Sequence, residues 1–547
     1  MTFLENKKIF FSLIDEYAPN NQFFTEDEDA RTKVALLYAP AYQELSDFRT
    51  KKKLKELLPT INSDMGNIEV VDITCDSRKV QKGFAFVCIN GFNSDGHDYA
   101  KKAVEAGASV IIAERETGES CEVIVEDTHA AYAEMSANYF GNPSKNFKLL
   151  GVTGTNGKTT TTSMIYNIIK EKGYPVITNN TGANLFPGIV TTFVENYKFF
   201  SKNENKYAII EVDEANLKYI TKYITPEIIT VTNLFRDQLD RYGEVYTTLT
   251  KILEGITLVP ETKLVLNGDE SLLGKLDVKN ELVFYGFKAP INENKTIDVN
   301  ADSKFCKFCK TPYSYNFVTY NHLGDYYCTG CGYTHPKIKY GVDEVLELTA
   351  ESSTVKFGDT EIFLGQSGVY NIYNALCAYA ITKELGIDDA CIKSSLESQS
   401  SSFGRQEIIN IDDKEVKIIL VKNPAGYNQA LDTLCLNKES FSCAFLLNDN
   451  YADGRDVSWI WDVNFEDLKH VNLDEVYISG MRAFDMAVRL KTAGISPSKF
   501  IIEEDYENLT TKIKEGKNKK LYVLATYTAM INYRKFLHSK GYIKNLW

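Results

Sequence analysis

Proline is scarce in this chain, at 13 of 547 residues, and glycine stands at only 33. That texture excludes collagen-like repeats and a chain dominated by low-complexity linkers. No run of 18 apolar residues occurs anywhere, so no segment reads as a membrane-spanning helix. Positive charge is in deficit: 61 Lys and Arg face 74 Asp and Glu, a formal net charge of −13. Broad binding to nucleic acid needs a basic surface to neutralise phosphates, and this balance argues against it. The first 21 residues carry acids inside their apolar stretch and lack a small-residue cleavage site, so no secretory signal is expected and a cytoplasmic location is. The 11 cysteines are odd in number, which makes a complete disulfide framework improbable and fits a reducing compartment.

What remains is an ordinary globular composition, 44% apolar and 25% charged, in a chain long enough for three or four domains of about 150 residues. Residues 1–62 are polar and helix-prone, with 48–58 reading as one basic amphipathic helix and no chemistry attached. Residues 63–145 alternate strands (68–73, 84–89, 108–113) with a helix over 99–106, and Asn142-Pro-Ser marks a linker. Residues 146–398 form a second α/β unit. In it, a strand over 147–152 leads to a helix over 158–172 that Gly173 stops. Near-continuous apolar runs at 207–212, 228–231 and 264–266 suit parallel strands buried on both faces. A third α/β pattern occupies 399–547, with strands at 416–421, 443–447, 476–479 and 521–524, and no repeat of solenoid period is present.

Gly154-Thr155-Asn156-Gly157-Lys158-Thr159-Thr160 lies between a predicted strand and a predicted helix. Glycines let the backbone turn tightly enough for several N–H groups to converge on phosphate oxygens, and the helix adds its positive end. Lys158 then reaches the terminal phosphates, and the Thr159 hydroxyl ligates Mg²⁺. The spacing departs from the general nucleotide-triphosphatase rule, because Val152 stands where the first glycine would fall. A metal-bound triphosphate also calls for a carboxylate at the end of a neighbouring strand, and Glu211 is placed for it. Separately, Cys306, Cys309, Cys328 and Cys331 give C-x₂-C-x₁₈-C-x₂-C, the spacing of a zinc ribbon. Four thiolates leave no open position, so such a Zn²⁺ would be structural. Lys304, Lys307 and Lys310 flank it, which keeps a nucleic-acid-binding module as a minor alternative that the net charge opposes.

Taken together these residues resemble the Mur ligase family, the ATP-dependent ligases of cell-wall peptide assembly. Thr153-Gly-Thr-Asn-Gly-Lys-Thr-Thr matches the family's own shortened phosphate loop. Further along come Thr232-Asn-Leu-Phe-Arg-Asp-Gln-Leu-Asp-Arg-Tyr-Gly, Gly368-Val-Tyr-Asn371-Ile-Tyr-Asn374, and Phe403-Gly-Arg405-Gln-Glu. The resemblance implies a three-domain α/β architecture: a small α/β N-domain, a central parallel-sheet ATPase domain carrying the zinc-ribbon insert at about 300–340, and a Rossmann-like C-domain. It also implies ATP contacts from Asn371, Asn374 and Arg405, with Arg405 at a closing domain junction, and catalysis by Lys158 and Glu211.

Two branches of the family are echoed. Asp76-Ser77-Arg78, with Asp95-Gly-His-Asp, is similar to the UDP-binding front domain of MurE-type amino-acid ligases, which implies UDP contacts from Ser77 and Arg78. The four-Cys insert, Lys422-Asn423-Pro-Ala-Gly and the segment 448–459 are similar to MurT-type ligases, which amidate a substrate carboxylate. In that branch a class I glutaminase subunit supplies the ammonia, and Asp456 stands where an aspartate completes its Cys–His pair. A turn acid is the alternative for Asp456, and Lys422 and Asn423 would serve substrate or the C-domain. Two features sit badly with either branch: a UDP-type front domain is unusual before a MurT-type body, and Gln238 and Tyr242 replace the family's usual histidines. Lys251 falls one residue from a lysine that MurE-type ligases carbamylate. The expected reaction is ATP-dependent formation of a C–N bond on a UDP- or lipid-linked cell-wall peptide precursor through an acyl phosphate. Amidation is the first reading. Amino-acid ligation on a murein or pseudomurein precursor is the alternative.

Overall fold

The structure is a computed structural model that describes residues 51–61, 64–91, 94–179, 184–196, 206–236, 245–291, 297, 302–399 and 405–543. The chain divides into two compact units, one of residues 1–147 with 185–204 and one of residues 148–184 with 205–547.

In the first unit the strands Asp72–Thr74, Phe84–Val87, Val110–Ala113 and Glu122–Ile124 lie in that order in an all-parallel sheet. The two central strands are buried along their whole length, as crossover helices on both faces require. The helix Thr128–Tyr139 covers one face, its first N–H groups accepted by the Asp127 side chain at 2.8 and 3.0 Å. The helix expected over 48–58 is reduced to Leu54–Leu57 within the described residues. Lys52–Lys53 pairs instead as an antiparallel strand with Glu69–Val70. On one helix Lys51 and Lys55, four residues apart, would repel, whereas the extended form of Lys52–Lys53 lets Lys51 meet Glu69 at 3.1 Å, and Leu54, Leu57 and Leu58 enter the core.

The second unit holds two large sheets. Nine strands run in the order Thr360–Leu364, Ser353–Phe357, Tyr340–Leu348, Leu282–Phe287, Lys263–Asn267, Ile228–Val231, Lys148–Thr153, Tyr207–Glu211, Val176–Thr178. Seven are parallel, and the two at the start of that order, the hairpin-connected Ser353–Phe357 and Thr360–Leu364, are joined by antiparallel pairing. The helix Lys158–Glu171 buries Met164, Ile165, Ile168 and Ile169 against this sheet, about 1.5–3 kcal/mol for each. It ends at Gly173, whose φ of +85° an L side chain would resist.

Six strands make the other sheet, in the order Arg405–Ile411, Lys414–Leu420, Lys520–Ala525, Phe441–Leu446, Leu473–Ser479, Phe500–Ile502. Only the first pair is antiparallel. Each of the four strands anticipated in this region is present. The cysteine pairs bracket a two-stranded hairpin, Ser314–Tyr320 with Leu323–Tyr327. No helix among the described residues is long and apolar enough to cross a membrane.

Candidate functional site

The strand Lys148–Thr153 lies third from one edge of the nine-stranded sheet, between Tyr207–Glu211 and Ile228–Val231. That is a switch point of a parallel sheet, where the carboxyl ends of strands open a crevice for ligands. The loop that leaves it turns on two glycines. Gly154 has φ +114°, and a Cβ there would lie 2.5 Å from the Thr232 hydroxyl and 2.8 Å from its backbone nitrogen. Gly157 has φ +81°, and its Cβ would collide with the Asn374 carboxamide. Only glycine meets both demands, positive φ and close approach.

The loop is held from below by the next strand's continuation. Thr155 N donates to Asn233 O at 3.0 Å, and Asn156 N to Asn233 Oδ1 at 2.9 Å. The Thr155 hydroxyl is clasped between Phe235 O and Phe235 N, at 3.2 and 3.1 Å. Behind it the helix starting at Lys158 points its N-terminal end at the loop, an anion site by geometry and by dipole.

Lys158 is paired where the loop meets the helix. Its Nζ donates to Glu214 Oε1 at 2.8 Å and to Gly154 O at 2.6 Å, and both side chains of the ion pair are nearly buried. Burial raises the Glu214 carboxyl above its ordinary pKa, an effect the neighbouring ammonium partly offsets. The Thr159 hydroxyl donates to Glu211 Oε2 at 2.8 Å, and Asn184 Nδ2 donates to Glu211 Oε1 at 3.2 Å. Asn179 clamps the Glu211 backbone through both its N–H and its carbonyl, fixing the direction of the carboxylate. Two oxygens 2.8 Å apart suit one edge of a Mg²⁺ octahedron, ideally about 3.0 Å for 2.1 Å bonds.

Beside the loop opens a cleft lined among others by Gly157, Thr160, Tyr320, Tyr370, Asn371, Gln406 and Leu420. Its loop side is polar, and Tyr320, Tyr370, Ile419, Leu420 and Ala425 give it an apolar, partly aromatic wall fit for a planar base. Asn371 and Asn374 are buried on one helix, Val369–Glu384. Asn374 braces the phosphate loop through Thr161 Oγ1 at 3.3 Å, and Asn371 Nδ2 donates to Ser367 O at 2.7 Å.

Arg405 opens a strand, but its side chain lies outside the described residues, as do Gln238 and Tyr242. Its neighbour Gln406 sits at φ +61° in a bulge and is buried. It binds Ser367 through both ends of its carboxamide and donates to the Tyr370 hydroxyl at 2.7 Å. Lys422 and Asn423 also come to the phosphate loop. Lys422 Nζ donates to Thr155 O at 3.3 Å, and Asn423 Nδ2 to Asn156 Oδ1 at 3.2 Å, while the other end of Asn423 caps the helix Pro424–Leu434.

Four further positions complete the placement. Asp456 is exposed, and its carboxylate accepts from Ser458 N and Oγ at 2.8 and 2.9 Å, which hold it below the usual carboxylate range. Ser77 and Arg78 lie on a short turn past the end of the strand Asp72–Thr74, in the first unit. Arg78 makes a two-pronged pair with Asp76 at 2.9 Å for each prong, drawing that carboxyl down to about 2. Lys251 is half-buried on the helix Val245–Ile256. Sequence reasoning missed Glu214, Asn179, Asn184 and Gln406. Glu214, three residues beyond Glu211 and past the strand's end, was the one that spacing could have flagged.

The four cysteine sulfurs all lie within 4.8 Å of one another, with Cys306–Cys331 at 3.6 Å and Cys309–Cys328 at 3.4 Å, and none is in a disulfide. A tetrahedral zinc with 2.3 Å bonds sets its sulfurs about 3.8 Å apart, so the donor set fits. The Thr311 hydroxyl and backbone N–H hold the Cys309 thiol down, to about 6, which favours the thiolate a metal needs. Purified protein is therefore expected to carry one zinc per chain by elemental analysis, and Cys309→Ser to lose it.

A parallel-sheet phosphate loop with a metal-ready carboxylate, and a second α/β sheet supplying side chains to it, defines a nucleotide-dependent ligase. The chain belongs to the Mur ligase family. Residues 69–139 match the Mur ligase family catalytic domain, 152–329 the Mur ligase middle domain, and 420–530 the MurT ligase C-terminal domain. The lipid II isoglutaminyl synthase (glutamine-hydrolyzing) subunit MurT of Streptococcus pneumoniae is 39% identical over 401 residues, 73% of this chain and 89% of that protein. The UDP-N-acetylmuramoyl-L-alanyl-D-glutamate–2,6-diaminopimelate ligase of Clostridium botulinum is 31% identical over 385 residues, 67% and 71% of the two chains. A crystal structure of MurF from Acinetobacter baumannii superposes with a TM-score of 0.62 at 17% identity, over 90% of this chain and 98% of that one. The three-domain α/β architecture is thus that of the Mur ligases.

Proposed function

We propose that this ligase amidates a carboxylate of a cell-wall peptide precursor, using ATP and ammonia delivered by a glutaminase partner. The observation that carries the reading is the pairing of the Lys158/Glu211 phosphate loop with a MurT-type C-terminal region that reaches it through Lys422 and Asn423. Gly154, Thr155, Asn156, Gly157 and Thr160 shape the phosphate cradle, with Asn371, Asn374 and Arg405 around the nucleotide. Thr159 and Glu211 would hold Mg²⁺, which when bound would neutralise charge on the transferring phosphoryl group.

Lys158 leaves Glu214 for the terminal phosphate. Glu214, buried and raised above its ordinary pKa, then loses the ammonium that partly offset its burial. A substrate carboxylate oxygen attacks the γ-phosphorus, and ADP leaves. Ammonia attacks the acyl carbon, inorganic phosphate departs, and the nitrogen loses a proton to give the amide. Water in the cleft would hydrolyse the acyl phosphate, so the second α/β sheet must stay closed over the loop.

Asp456 fits the partner role because its carboxylate is exposed, ionised and held by a turn. Near it in sequence Trp461 is exposed, and the guanidinium of Arg489 stacks on that ring from the helix Ala483–Thr492. Met481, Phe484 and Val488, on and just before that helix, are also exposed. An apolar face of this kind suits a protein partner.

The first unit favours a second feature. Ser77 and Arg78 lie past the end of the strand Asp72–Thr74 and match the resemblance's UDP contacts, which supports a UDP-linked precursor as the alternative to a lipid-linked one. Arg78→Ala is expected to weaken binding of a UDP-linked peptide about tenfold, measured by calorimetry, with ATP affinity unchanged. The deciding assay supplies UDP- and lipid-linked peptides with ATP, and then ammonium, single amino acids, or glutamine with a glutaminase subunit. Ammonium-dependent amide formation supports the proposal. Incorporation of an amino acid instead replaces it with the peptide-ligase reading.

A further inference from the structure

The cysteine insert touches more than its own metal site. Its hairpin carries Tyr320 and His322 at the tip, and both are buried in the body of the second unit. His322 Nε2 meets Glu270 Oε2 at 2.8 Å, two side chains with no solvent exposure. The same Glu270 oxygen accepts from Leu234 N at 3.3 Å, and Asn267 Nδ2 donates to Thr232 O at 3.0 Å. The Phe235 ring stacks on Tyr320 at 5.8 Å and leans on His322 at 5.0 Å. Residues 232–235 are the very segment that clasps Thr155 and Asn156 of the phosphate loop.

The base of the hairpin is fastened independently. Lys307 Nζ donates to Leu272 O and Lys275 O at 2.8 and 2.6 Å, Tyr333 OH to Ser271 O at 2.6 Å, and His335 Nε2 meets Asp269 Oδ1 at 2.7 Å. Every residue from Asn267 to Leu273 whose side chain is polar is fully buried, so the bonds to Asp269 and Ser271 have little water to replace them.

We propose that the insert is a strut for the phosphate loop. His322 and Phe235 are positioning residues, and ATP affinity depends on the metal that ties the hairpin's two ends together. Without metal, the two ends of the hairpin lose the link that spans Cys306, Cys309, Cys328 and Cys331 and are left to the hydrogen bonds of its base, so the hairpin loosens. The tip then withdraws from Phe235, and Thr155 and Asn156 lose their fixed geometry. A displacement of about 1 Å there is enough to cost ten- to a hundredfold in a preorganised site.

The proposal rests on the reading of residues 154–160 as the ATP phosphate loop, and the experiment separates the two. The full chain, zinc-loaded, is titrated by calorimetry with a non-hydrolysable ATP analogue in the presence of Mg²⁺. No binding by the unaltered protein refutes the phosphate-loop reading itself. Given binding, His322→Leu is expected to raise the dissociation constant about tenfold. His322→Gln, which keeps a donor toward Glu270, restores it, and kcat at saturating ATP stays near normal while KM for ATP rises.

Zinc release, followed with a coloured chelator, provides an arm that needs no substitution. The zinc-depleted protein is expected to bind the analogue about tenfold more weakly, and saturating analogue to tighten zinc binding by a similar factor in equilibrium competition with the chelator, because linkage of affinities is reciprocal. Unchanged analogue affinity in both the zinc-depleted protein and His322→Leu overturns the strut. Should His322→Leu fail to fold, as circular dichroism would reveal, the zinc arm alone decides.

Discussion

Replacing Lys158 with Ala lowers ATP-dependent product formation by about a thousandfold, or ~4 kcal/mol of transition-state stabilisation, in a steady-state phosphate-release assay. The size follows from position: Nζ stands at the mouth of a loop closed by Gly154 and Gly157, in surroundings where a phosphate's charge is little screened by water. The same change has a second consequence. It strands Glu214, which is buried and already pushed toward its neutral form, so the variant melts lower, by on the order of 2 kcal/mol. Adding Glu214→Gln recovers the melting temperature, because an amide needs no counter-ion, but recovers no activity. Phosphate release near the unaltered rate in Lys158→Ala refutes the site. Activity returning with the double substitution would show that Lys158 acts only through fold stability.

The second large effect is a split between nitrogen sources. Asp456→Asn is expected to cut glutamine-dependent amidation about a thousandfold in the reconstituted complex, while ammonium-dependent amidation by the same protein stays within about twofold. The carboxylate sits in a turn closed on Ser458, and an amide of the same shape keeps that turn but cannot stabilise a protonated imidazole across a subunit boundary. Equal loss with both nitrogen sources would assign Asp456 to the turn alone. No loss with either would leave it outside the reaction, and the partner would need its third residue from elsewhere.

Much of this architecture was readable from local pattern. The strand–loop–helix around Lys158, the buried parallel strands and the third α/β region all carry strong short-range signals, because hydrophobic period and turn chemistry are properties of neighbours in sequence. The stretch 48–58 misled for the converse reason. Its leucine spacing suits a helix, but pairing of Lys52–Lys53 with Glu69–Val70 and burial of Leu54 and Leu57 come from residues beyond its own window. Gln406 was similarly hidden. Its importance comes from a bulge and a positive φ that face Ser367 and Tyr370, 39 and 36 residues away.

The sequence by itself determined the chemistry on offer: a glycine loop with Lys158 and Thr159, a strand-end acid in Glu211, four cysteines at metal spacing, and the order in which they occur. These follow from residue type and short spacing, which the chain carries with it whether folded or not. Only the tertiary structure decided who meets whom. It gave Lys158 its buried partner Glu214, brought Lys422 and Asn423 about 270 residues along the chain to Thr155 and Asn156, and set the cysteine hairpin against Phe235. Such meetings depend on long-range packing and on buried polar groups finding partners, constraints satisfied only when the whole core has closed.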